Sequence, residues 1–150
     1  MELKFLIPIA IVVVVLILMN KPTKYSKVTI GDVEIKTEIA DTPLKQMKGL
    51  MFRKHLPENE GMLFVFGGED YRGIWMMNTS IPLDIIWING NMEIVHIEKN
   101  VQPCGIFCPV YQPDKKAKYV LEVNAGFVEK NDIDVDHFVE IHPKELNTQI

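Results

Sequence analysis

From Val33 to Ala40 the chain alternates: Val33, Ile35, Thr37 and Ile39 share one side, and Glu34, Lys36 and Glu38 the other. A two-residue period predicts a half-buried strand. KVTI before it, joined through Gly31-Asp32, completes a hairpin. Asp41-Thr42-Pro43 then signals a helix start, with Thr42 as N-cap and Pro43 at the first helical position. Leu44, Met47 and Met51 fall on one side of that short helix, and Gly49 loosens or ends it. After the turn PENEG, the apolar run MLFVF at 62–66 reads as a central strand, and GGEDYRG at 67–73 as a loop.

Residues 74–77 and 83–88 read as strands joined across NTSIP. Asn89-Gly90 is the central pair of a hairpin turn, and MEIVHIEK at 92–99 returns from it. Residues 100–118 form a long Pro- and Gly-containing loop, followed by YVLEV at 119–123. AGFVEKND is a short helix or turn, and FVEI at 138–141 is the last strand. The expectation is a mainly β (α+β) fold: one antiparallel barrel-like or sandwich domain with one or two short helices.

One segment breaks these periods. Phe5 to Met19 contains no polar side chain and is apolar all round, unlike an amphipathic core helix. Leu3 to Asn20 would span about 27 Å as a helix, against a bilayer core of about 30 Å. No small residues follow it to suit signal cleavage. The organisation predicted is a transmembrane anchor over 1–20, a linker over 21–27, a globular domain over 28–141 and a tail over 142–150, with residues 3–20 in the membrane. Lys21, Lys24 and Lys27 after the span favour a cytoplasmic body by charge counting, whereas a signal-anchor exports a long domain largely regardless of such charges.

Charge is divided accordingly. Four lysines against Glu2 make residues 1–27 net positive by three, leaving 12 basic and 19 acidic residues, net −7, in 28–150. An acidic body without a basic stripe excludes nucleic acid as an expected partner. Cys104 and Cys108, in QPCGIFCPVYQP, suit a disulfide closing a five-residue ring, worth about 2 kcal/mol in the chain-entropy account, and an oxidising exterior. Two free thiols are the other reading. A zinc site lacks partners at paired spacing, since the four histidines are scattered, so no metal or other cofactor is expected.

GLMFRKHL, EGMLFVF, WMMNTSIPLDIIWI and YVLEVNAG occur in this order and at separations that resemble domain of unknown function family 192. The resemblance covers roughly residues 28–141. It brings no established activity. It implies a chain that is exported or anchored at its N-terminus, as members of that family often look. Where the family's pattern has Gly-Asp near the last strand, this chain carries Val135-Asp136.

Within the third motif Asp84 is a carboxylate among apolar neighbours, and Glu122 repeats the puzzle in YVLEV. A buried carboxylate is costly unless paired and hydrogen-bonded. Three partners suit Asp84: Arg53, in an internal brace; the Asn78-Thr79 turn; or a ligand in a pocket. The candidate ligand site is Arg53, Trp75, Asn78, Thr79, Asp84 and Glu122. Two carboxylates in one cleft would also suit acid–base hydrolysis or elimination, by Asp84 and Glu122 together. No GxSxG elbow or phosphate loop is present. Asn78-Thr79-Ser80 is formally a glycosylation sequon but reads as a structural turn. The sequence therefore leads to an anchored extracytoplasmic module that binds a small polar or carbohydrate-like ligand, or an envelope partner. A hydrolase or lyase and a purely structural envelope protein are the alternatives.

Overall fold

The computed structural model describes residues 25–143. The predicted anchor, residues 21–24 of the linker and residues 144–150 of the tail lie outside them. Among the described residues no helix is long and apolar enough to cross a membrane. In chain order the elements are β1 (Tyr25–Ile30), β2 (Val33–Ala40), α1 (Pro43–Lys48), β3 (Glu60–Asp70), β4 (Ile74–Trp75), β5 (Leu83–Ile88), β6 (Ile94–Val101), β7 (Val110–Tyr111), β8 (Ala117–Asn124), α2 (Phe127–Lys130) and β9 (Val139–Pro143). Seven strands form one curled half-barrel sheet in the order β6-β5-β8-β3-β2-β1-β9, and β4 pairs with β7 beside it. The predicted mainly β architecture is what the chain adopts.

The hydrophobic pattern explains the layering. Leu83 to Ile88 are all buried, because both faces of β5 carry cores. Val28, Ile35, Leu63, Ile86, Leu121, Ile94 and Val139 pack together on one face. This cluster draws on every strand of the sheet, including both edges, so it fills the inside of the curl. Phe127 and Val128 of α2 belong to it. Met62, Phe64, Ile85, Trp87 and Val120 form the other core, on the outside, under Leu50, Leu56, Ile74 and Met76 from the connecting segments. The two sheet edges meet at one place: Ile94 N–H donates to His137 O, Asp136 N–H to Ile94 O and Val139 N–H to Met92 O. Asp136 takes φ 68° there, the left-handed conformation that short polar side chains tolerate.

Several expectations need correction. Tyr25–Lys27, placed in the linker, are already strand. Residues 67–70 continue β3 instead of looping, and the register shifts between Val65 and Asp70, where Gly67 and Gly68 absorb a bulge. β2 pairs with β3 in parallel, because the segment carrying α1 returns the chain to the other end of the sheet. Thr42 caps α1 as expected, accepting from Lys45 N–H at 3.4 Å. Yet Leu44 and Met47 are exposed. The helix docks through Gln46, whose Nε2 donates to Ala40 O and Val65 O, and this turns its apolar side to solvent. Residues 89–93 make a longer loop than the predicted two-residue turn. The Asn89 side-chain oxygen accepts from Asn91 and Glu93 N–H, and Met92 carries the positive φ.

Candidate functional site

Asp84 follows from β5 alternation: it shares the inner face with Ile86 and Ile88, and it is 1% exposed. The predicted brace to Arg53 is not formed, and neither is the tie to the Asn78-Thr79 turn. Its Oδ1 accepts from Asn100 N–H at 2.8 Å and its Oδ2 from Val128 N–H at 2.9 Å. Asn100, next to last in β6, takes a left-handed conformation, φ 53°, and Val128 lies in α2. One carboxylate thus fastens an edge strand and the helix that plugs the curl, using charge-assisted bonds to backbone donors. It reaches the floor of a surface cavity of about 260 Å³ lined also by Lys99, Asn100, Ala125, Gly126 and Glu129.

Glu122 has the opposite address. On β8 it faces Met62 across one side and Ile85 across the other, both members of the outer core. Asp84 faces Val123, a member of the inner core. The two carboxylates therefore project from opposite faces of one sheet, and the acid–base pair proposed for a hydrolase or lyase cannot address one bond. Glu122 is 4% exposed. No hydrogen bond or ion pair holds its carboxyl among the described residues. Burial alone pushes that carboxyl up to about 8, so at neutral pH it carries a proton and offers an O–H donor.

Arg53 pairs with Glu38, through Nη2 to Oε2 at 2.6 Å and Nη1 to Oε1 at 2.5 Å. Glu38 stands beside Met62 on β2, so Glu38, Met62 and Glu122 form one row across the outer face. Two strand spacings, roughly 10 Å, separate the acids. Sequence reasoning missed Glu38, because its alternation with Ile35 and Thr37 marks it as solvated. The sign was available in Ala40, an apolar residue of the same parity. Asn78 adopts φ 55°; its N–H donates to Cys104 O and its carbonyl accepts from Phe52 N–H. Thr79 is buried beside that turn. Trp75 pairs with Val110 in the small sheet and is 44% exposed.

The structure thus groups Arg53, Glu38, Asn78 and Thr79 with the segments covering the outer face, sets Glu122 on the sheet beneath them, and separates Asp84 from all of these. Cys104 and Cys108 are bonded, with Sγ–Sγ 2.01 Å and Cα–Cα 5.7 Å. Among the described residues no group of three His, Cys, Asp or Glu side chains forms a metal centre.

The model of the family described as "Uncharacterized ACR", DUF192, matches residues 26–141. The chain belongs to domain of unknown function family 192. Family relatives include UPF0127 protein TK1120 of Thermococcus kodakarensis, 26% identical over 112 residues, covering 73% of this chain and 67% of that one. UPF0127 protein PF1050 of Pyrococcus furiosus is 28% identical over 114 residues, with 73% and 89% covered. Two solved structures share the fold. A candidate transcription regulator from Sinorhizobium meliloti superposes with TM-score 0.72 at 28% identity, covering 80% of this chain and 94% of that one. A protein of unknown function from Novosphingobium aromaticivorans gives 0.69 at 33% identity, with 77% and 83% covered.

Proposed function

We propose that this DUF192 chain is a membrane-tethered, extracytoplasmic module that binds a small polar or carbohydrate-like ligand on the outer face of its half-barrel, without catalysis. The observation that carries the reading is Glu122. A carboxyl this deeply buried, with no partner among the described residues, carries a desolvation cost, and it is offset when a ligand supplies a hydrogen bond. The Arg53–Glu38 pair places two more charged groups on the same face. Placement outside the cytoplasm draws support from the disulfide, which persists in oxidising compartments, and from the apolar run Phe5–Met19. Asp84, whose carboxylate is closed by two backbone donors, suits the purely structural alternative and is assigned a bracing role only.

The test is thermal unfolding of the full chain in detergent against sugars, amino acids and short peptides. A ligand at 100 times its dissociation constant should add about 2.7 kcal/mol. Glu122→Gln, which keeps a donor, should retain the shift, and Glu122→Leu should remove it. No shift across the panel, or an equal shift in Glu122→Leu, overturns the proposal.

A further inference from the structure

Residues 103–110, Pro-Cys-Gly-Ile-Phe-Cys-Pro-Val, carry no polar side chain. Such a run belongs in a core, yet Ile106 is 82% and Phe107 97% exposed. The loop cannot fold back to hide them. The Cys104–Cys108 disulfide closes its base, Cys104 bridges to Met77, and β7 is paired to β4. Trp75 and Val110, opposite each other in that pair, extend the apolar surface, and Lys115 and Lys116 follow it in the chain.

We infer that this disulfide-held tip inserts into the headgroup region of the membrane that carries the chain, as a second contact beside the N-terminal segment. The inference rests on the tethered reading above. Aromatic and aliphatic side chains flanked by lysines are what an anionic bilayer interface receives. The leash is short. Residues 21–24 extend at most about 14 Å, close to the radius of gyration of about 13 Å expected for a domain of this length. The body therefore stays against the surface and must present one flank to it. A relay of contacts joins the end of the leash to the base of the tip. Tyr25 pairs with Glu38, Glu38 holds Arg53, the adjoining Phe52 bonds Asn78, and Asn78 bonds Cys104.

Trp75 is the native reporter, because Trp87, fully buried, does not reach lipid. The full chain is reconstituted in vesicles of anionic and zwitterionic lipid, with and without brominated acyl chains. Tryptophan emission should fall by roughly half with bromine, since interfacial segments reach about 5–10 Å into the headgroup–acyl boundary. Trp75→Phe should abolish the quenching. So should the double variant Ile106→Ser, Phe107→Ser, while the blue-shifted Trp87 emission reports an intact fold. Chain that floats with the vesicles but is not quenched overturns the insertion and leaves the tether standing, with water or a protein facing the tip. Quenching that persists in the serine variant also overturns it. Chain that does not float with the vesicles overturns the tether and, with it, the insertion.

Discussion

Two buried acids on neighbouring strands behave oppositely because of one difference in backbone supply. Asp84 meets two N–H groups that no strand partner uses, so its charge is satisfied where it sits. Asp84→Ala leaves the Val128 N–H buried and unpaired, while the N–H of exposed Asn100 passes to water, and should cost about 1–3 kcal/mol, read as a fall in the urea midpoint. Asp84→Asn should cost less but still destabilise, because its amide nitrogen would face an N–H group. Glu122 meets no donor among the described residues, and burial raises its pKa from 4.5 to about 8. The folded state then holds a proton that the unfolded chain releases above pH 4.5. The contribution of this group to stability is thus fullest below about 4.5, falls as pH rises through about 8, and is level beyond. The slope within that window approaches about 1.4 kcal/mol per unit for a single group. Glu122→Gln should flatten this limb, matching the wild type near pH 5 and exceeding its stability at pH 9. Identical pH profiles for the two proteins would remove the raised pKa from the account.

At the scale of elements, close approach between strands and the tie across a loop set the sensitive positions. A Cβ on Gly61 would come 2.6 Å from Glu122 O on the paired strand. Gly61→Ala should therefore spread β3 from β8 and cost about 1–3 kcal/mol, with amide exchange accelerated along both strands. Opening the disulfide with Cys104→Ser should cost about 2 kcal/mol by releasing a five-residue ring. Proteolysis should then cut first between β6 and β8, and an unchanged cleavage pattern would mean that the β4–β7 pairing alone holds the loop. Elements whose pattern is local were legible in the sequence: the β1–β2 hairpin from alternation, the α1 cap from Thr42-Pro43, and β5 from its unbroken apolar run. Features set by distant partners were not. The outward turn of Leu44 depends on Gln46 reaching Val65, and the continuation of β3 through Gly67-Gly68 depends on a bulge against β8. The candidate site divides in the same way. Alternation places Asp84 and Glu122 on strands, but only the pairing register of β5 with β8 shows that they look in opposite directions.

For the whole molecule, one sheet serves two cores, and this governs how it unfolds. Ile85 and Ile86 are adjacent in sequence, fully buried, and belong to different clusters. Neither core survives without the sheet, because each is walled by β2, β3, β5, β6 and β8. Loss of one should then propagate to the other within a single cooperative transition. Ile85→Ala and Ile86→Ala should each cost about 2–5 kcal/mol, despite facing opposite sides. In a Trp75→Phe background, emission reports Trp87, which sits in the outer core with its Nε1–H bonded to Arg72 O. Far-ultraviolet dichroism reports the strands that also wall the inner one. The two denaturation curves should coincide in both variants. If Ile86→Ala instead separates them, with dichroism lost before Trp87 reddens, the inner core and its α2 plug open as an independent unit. Asp84 would then be the latch on that unit, and Asp84→Asn should produce the same separation without any change in apolar packing.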